Sequence, residues 1–398
     1  MKQGGTLDSL TGLRFFAALH VVLFHFGKPC LDTAPAWLRD FVGAGYSAVG
    51  VFFVLSGFVL AWNYLDRDAR MQTGPRAFLA ARVARVYPVY LLTFLLSAPF
   101  TIAASVAANG WALAAGKLTV GGLGTLALVQ AWVPVLALYW NPPAWSVAVE
   151  AIFYLLFPGL ARVLPRLRPS LLPVALGATW VLGLLPPLLY LGLQADGTAP
   201  SDAGTWTTGL AVIKFNPLMR LPEFLFGVLL GWAFVRERAA GVKRGNGAVL
   251  AFAGAALLVL AGAAGPRIPY PLMHNALLAP ASGLLVYGLA RGGGALGQVL
   301  SRPLLVHLGG ASYALYLLQF PVSEVVHALA KVLPPAVDLH SPLAVLAFVL
   351  GVGVPASVVV HRYVETPYRS RVRKALQPWV DAESRVPAAQ PVVPGAEA

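Results

Sequence analysis

His25, Glu150 and the arginines Arg14, Arg82 and Arg85 lie within or at the edges of long apolar segments. An ionisable side chain is costly in that setting, so each is a functional candidate by default. A histidine suits transfer chemistry: its pKa lies near neutrality, so it can take a hydroxyl proton and return it to a leaving group. Arg14 and His25 are eleven residues apart on one apolar segment. As helix they share a face and stand roughly 16 Å apart along the axis. An interfacial histidine bonded to a backbone carbonyl fits His25 equally well, and for His20 a structural role fits better.

Arg82 and Arg85 are three residues apart, on one helix face. Paired guanidinium forks at a membrane mouth suit phosphate groups, which they grip bidentately; charges that set membrane topology would look the same. Ser146, Glu150 and Tyr154 follow at i, i+4 and i+8, one polar stripe on an apolar helix beginning near Trp145. Glu150 must face the bundle interior and have a partner. Two partners fit: His25, whose imidazole it would orient, or an arginine such as Arg220. Ser56-Gly57 reads as a close-packing step between helices, because no base is near Ser56 in sequence. Arg220 with Glu223, the block Ser312 to Pro321, and His361, Arg362, Glu365 and Pro367 read as structural.

The elements that carry these residues are set by composition. Hydrophobic residues make up 58% of the 398 positions and charged residues 11%, against about 25% charged in soluble domains. The apolar positions fall in blocks of roughly 17–25 residues, the length of a membrane-crossing helix. The sequence therefore predicts an all-α polytopic membrane protein with about ten transmembrane helices, near 10–27, 44–63, 88–106, 145–163, 171–192, 218–235, 247–265, 274–290, 304–330 and 343–362. An eleventh apolar stretch, 120–139, is interrupted by glycines and Pro134 and reads as re-entrant or non-spanning.

The net charge of +13 comes from short basic segments between apolar blocks, which points to membrane orientation and away from nucleic acid. Arg67, Arg70, Arg76, Arg82 and Arg85 place the second connection in the cytoplasm, and with it both termini. The clusters Arg162/Arg166/Arg168, Arg236/Arg238/Lys243/Arg244, Arg291/Arg302 and Arg369/Arg371/Arg373/Lys374 then fall on the same side. This agreement holds if 120–139 does not span, and the loop 193–217 then lies outside. The single cysteine, Cys30, allows no intrachain disulfide and no cysteine metal cluster; no metal and no cofactor are expected. Residues 1–376 form one membrane domain, and 377–398 read as a disordered tail.

Four motifs in order resemble the acyltransferase-3 family of membrane O-acyltransferases. They are Leu-Thr-Gly-Leu-Arg14-Phe-Phe-Ala17-Ala through His25, Gly50-Val-Phe-Phe-Val-Leu-Ser-Gly57-Phe, Arg82-Val-Ala-Arg85-Val-Tyr87-Pro88, and Trp145-Ser146 with Glu150 and Tyr154. With the Ser312-Tyr313 block and Glu365-Thr-Pro367, the likeness covers about residues 6–370. It implies transfer of an acyl group, often acetyl from acetyl-CoA, to a hydroxyl of a sugar, lipid or small natural product. On that resemblance His25 is the catalytic residue, as base or acyl carrier, with Glu150 beside it. Arg14, Arg82 and Arg85 serve the acyl-CoA donor, and Tyr87, Trp145 and Ser146 line the substrate site. The expected partners are the bilayer, acyl-CoA and the hydroxyl acceptor, in a bacterial cytoplasmic membrane. Many members carry a histidine where this chain has Gln319. A transporter or flippase for a polar or lipid-linked molecule is the alternative.

Overall fold

The computed structural model describes residues 7–197, 201–242, 245–334 and 338–384, the side chains of 383 and 384 excepted. Among them there is no strand, only an isolated bridge between Leu65 and Met71. Seven helical segments are long and apolar enough to cross a bilayer. They contain α1 (Asp8–Val22), α2 (Ala48–Tyr64), α3 (Pro75–Leu126), α4 (Ala144–Val163), α5 (Leu172–Leu193), α6 (Pro217–Ala239) and α10 (Pro342–Val360). The apolar helices α7 (Gly247–Ala263) and α8 (Ala279–Ala290) and the longer α9 (Pro303–Val332) bring the set to the ten expected. Large apolar side chains on α3, α5, α7 and α10, such as Leu95, Val174, Leu189, Phe252 and Val352, are exposed. In water such a belt would drive aggregation; in hydrocarbon it is the matching surface.

The 120–139 stretch is re-entrant. Helix α3 bends back at Gly110, whose φ of 69° lies in the left-handed region that a residue without Cβ adopts freely. The returning arm runs beside the first. Tyr87 donates to the carbonyl of Leu126 at 3.2 Å and Tyr90 to that of Thr125 at 2.8 Å. The chain then climbs again: Trp140 stacks on Phe94 at 4.3 Å, and Ser105 bonds Tyr139 at 3.0 Å. Gln130, at the bottom of the dip, donates to Tyr90 and to the carbonyl of Ala144. Segment 111–143 thus enters and leaves on one side, and loop amides such as Val129, to the Gly124 carbonyl, and Tyr139, to that of Leu136, are bonded within the protein, as low dielectric demands.

Small residues let the central helices touch. A Cβ on Gly57 would collide with the carbonyl of Phe224, and one on Gly227 with the carbonyl of Val54, so α2 and α6 meet backbone to backbone. This is the close-packing role expected at Ser56-Gly57. Contacts also gather the basic connections at one end of the bundle. Trp232 donates to the carbonyl of Arg67, Arg291 pairs with Glu237, and Phe78 stacks on Phe157.

After α11 (Thr366–Ala375) a further helix, α12 (Gln377–Ser384), packs against the start of α3, within the segment read from sequence as the tail. Arg76 lies over the Trp379 ring at 5.6 Å and donates to its carbonyl. An aromatic anchor on a cation supplies contacts that proline and alanine content alone does not reveal. Residues 385–398 lie outside the described part.

Candidate active site

A cavity of about 770 Å³ opens among the first turns of α1, the length of α2, the first half of α9, and α3, α4 and α11, at the arginine-rich end. Arg14, Arg82, Arg85 and Arg369 line it, with Glu150 as the one lining carboxylate among the described residues. Four guanidinium groups around one acid leave a surplus of positive charge in partly desolvated space. That geometry favours a polyanion over any neutral guest. Arg82 is buried to 7% exposure, held by the Tyr64 hydroxyl at 2.8 Å and by the faces of Tyr64, Phe78 and Tyr154. Its Nε has no partner, so a buried donor is kept in reserve. Arg14 and Arg85 are both within electrostatic reach of Glu150 and Glu365.

The stripe on α4 lines the same cavity: Ser146, Glu150 and Tyr154 all contribute. Ser56 Oγ donates to Glu150 Oε1 at 2.7 Å, and Tyr154 also hydrogen-bonds this carboxylate. Ser146 Oγ donates to the carbonyl of Pro143 at 3.0 Å; its contact of 2.9 Å with Tyr316 is then a hydrogen bond donated by the phenol. Committed to a carbonyl, the Ser146 proton is not available for nucleophilic work.

His25 occupies a π-turn, Leu23–Gly27, continuing α1. The extra residue per turn breaks the α-register, a distortion frequent at functional sites. Its Nδ1 contacts Gln319 Oε1 at 2.9 Å, and its ring packs edge-on against Phe320 at 5.0 Å. His25 is not in the cavity wall. Tyr316 is the last α9 residue to line it, and Gln319 is one turn further, about 4.5 Å along the axis.

The sequence-derived set is therefore brought together in part. Arg14, Arg82, Arg85, Ser146 and Glu150 share one cavity. Tyr87 is turned to the re-entrant arm, and Trp145 packs between Phe53, Phe215 and His274, so both stand outside it. Neither expected partner of Glu150 is found: Ser56 and Tyr154 hold it, while Gln319 holds His25. Arg220 is taken by Glu223, Nε to Oε2 at 3.0 Å, with His274 and Asn275 completing its donors. An arginine and a carboxylate three residues apart on a helix already share a face, so Arg220 has no need of Glu150. His20, as expected, is structural, bonded to the Phe41 carbonyl at 2.8 Å. Arg369 and Ser56 are site residues the sequence left unmarked. Arg369 sits in a basic run indistinguishable from topogenic charge, and Ser56 meets Glu150 only through the fold.

Comparison with known proteins shows the family of the chain. Residues 7–362 match the acyltransferase domain family, acyltransferase-3. The chain is a member of that family. It is 32% identical over 385 residues to an acyltransferase, MdmB, of Streptomyces mycarofaciens, covering 91% of each chain. It is 29% identical over 351 residues to the exopolysaccharide production protein ExoZ of Rhizobium meliloti, covering 83% of this chain and 91% of the other. A shorter match, 40% over 93 residues, is to protein 2 in the picA locus of Rhizobium radiobacter. No solved structure matches. The chain is thus a multi-pass membrane acyltransferase, which decides against the transporter alternative.

Proposed function

We propose that this enzyme moves an acyl group, acetyl by preference, from cytoplasmic acyl-CoA to a hydroxyl of a sugar, lipid or small natural product. The observation that carries the donor assignment is the cavity lined by Arg14, Arg82, Arg85 and Arg369. Acyl-CoA is polyanionic, and the arginine-rich end is the cytoplasmic one if the positive-inside rule orients the bundle. The nucleotide phosphates meet the arginines, and the thioester arm extends toward the Ser146–Tyr316 floor. His25, one turn beyond, takes the acceptor's proton or carries the acyl group. No metal or cofactor enters this scheme. The exopolysaccharide production protein among the relatives favours a polysaccharide hydroxyl as one acceptor class.

The test is transfer from radiolabelled acetyl-CoA by purified protein in nanodiscs, with a panel of sugar, lipid and small natural-product acceptors and His25→Ala in parallel. We expect wild-type transfer to at least one class, and its loss in the variant. Full transfer by His25→Ala would remove His25 from the mechanism. Transfer from a non-CoA thioester but not from acetyl-CoA would sink the donor assignment.

A further inference from the structure

Gln319 is fully buried on α9 and makes two hydrogen bonds that cannot exchange ends. Its amide contacts the carbonyl of Tyr316 at 2.7 Å and His25 Nδ1 at 2.9 Å. A carbonyl only accepts, so the NH2 end of the amide must face Tyr316. The amide oxygen then faces His25, and it too only accepts. The ring nitrogen opposite it, Nδ1, must carry the hydrogen. In a neutral imidazole with Nδ1 protonated, the remaining lone pair is on Nε2. The structure records no hydrogen bond to that nitrogen among the described residues.

We infer that Gln319 is a positioning residue that fixes the His25 tautomer, holding Nδ1–H and presenting Nε2 as the base or acyl acceptor. The inference rests on the proposed role of His25 in transfer. It assigns to Gln319 the orienting task that the sequence had suggested for Glu150. A carboxylate in that place would both orient the ring and neutralise the imidazolium formed on proton transfer. The amide does only the first. Its two unlike ends suit a site where one neighbour is a backbone acceptor and the other a ring N–H.

The surroundings leave the ring little freedom to choose otherwise. Phe24 at 4.9 Å and Phe26 at 6.0 Å flank it, and Phe320 meets it edge-on. None of these rings offers a hydrogen-bonding alternative to Nδ1. Without Gln319 the imidazole would lose its one polar anchor among the described residues, and the tautomers would redistribute.

The experiment is 15N solid-state NMR of histidine-labelled protein in lipid bilayers, at a pH where imidazole is neutral. Its ring resonances are assigned to His25 by their disappearance in His25→Ala. We expect the Nδ1–H form in the wild type, with an unprotonated Nε2. Gln319→Met, close in shape and without either hydrogen bond, should shift the population toward Nε2–H. It should lower kcat on the order of 10²-fold, with donor KM little changed. Gln319→Glu retains an acceptor for Nδ1–H and should keep the wild-type tautomer and exceed Gln319→Met in kcat. An Nε2–H tautomer in the wild type would overturn the inference. So would an unchanged kcat in a folded Gln319→Met. Full activity of His25→Ala would instead fail the underlying role of His25 in transfer, whichever tautomer the spectrum reports.

Discussion

At the scale of single residues, the cavity divides its arginines by burial, and the division predicts their weights. Arg82 is almost fully enclosed and has an unpartnered Nε. A phosphate arriving there meets a desolvated donor, so the bond is charge-assisted and little screened. Hydrogen bonds to charged groups contribute about 1.5–3 kcal/mol each. We therefore expect Arg82→Ala with Arg85→Ala to weaken acyl-CoA binding at least about tenfold, measured by equilibrium binding of a labelled donor, with a smaller loss in thermal stability. Unchanged affinity in a well-folded double variant would refute the donor site. Arg369 is exposed on α11, where water and salt screen it. Arg369→Ala should raise donor KM only about two- to fivefold, and the effect should shrink at high ionic strength. The arginine motif could be read from sequence because its spacing implies a shared face. Which residue completes the ring could not, since Arg369 is 284 positions away from Arg85.

Whole helices are governed by contacts that tolerate no added atom and no stranded charge. Gly57 and Gly227 bring α2 and α6 into backbone contact, and this pair supports Ser56 and, through it, Glu150. Gly57→Val should force the helices apart and cost about 1–3 kcal/mol. A lower Tm in detergent, together with weaker donor binding, would register both effects; an unchanged Tm would contradict the packing. On α6, Arg220 and Glu223 form an ion pair with 0% and 2% exposure. Removing one partner strands the other, so Glu223→Leu should cost about 3–5 kcal/mol. The double variant Arg220→Leu/Glu223→Leu should be less destabilised than Glu223→Leu alone. A double variant worse than the single would show that Arg220 is required for its bonds to His274 and Asn275. Existence of the helices was legible because hydropathy blocks of fixed length are a one-dimensional signal. The bend at Gly110 was not: one glycine among 40 carries no mark of its φ. Nor was helix α12, whose anchor is Arg76, 303 residues earlier.

For the molecule as a whole, the firmest consequence is that its two ends differ. The basic connections collect around the arginine cavity, while Lys28, Arg39, Asp40, Asp202 and Arg267 surround a separate mouth at the opposite end. This polarity depends on segment 111–143 being re-entrant: were it a crossing, every later connection would change sides. Charge asymmetry across short loops orients such a bundle with its basic end inward. We therefore expect a cysteine placed at Ala203 in a Cys30→Ser background to react with a membrane-impermeant maleimide added to intact cells. One placed at Ser170, in the exposed turn between α4 and α5, should react only after the membrane is permeabilised. Ala203 inaccessible from outside would invert the bundle and turn the arginine cavity away from the cytoplasmic pool of acyl-CoA. Ser170 reacting from outside while Ala203 stays protected is also the pattern expected if 111–143 crosses, since every later connection would then change sides. The expected pattern puts the polyanion site and the opposite mouth on different sides of the bilayer, with His25 in the interval between them. An acyl group entering at one end then needs to travel only the depth of the bundle to meet an acceptor at the other.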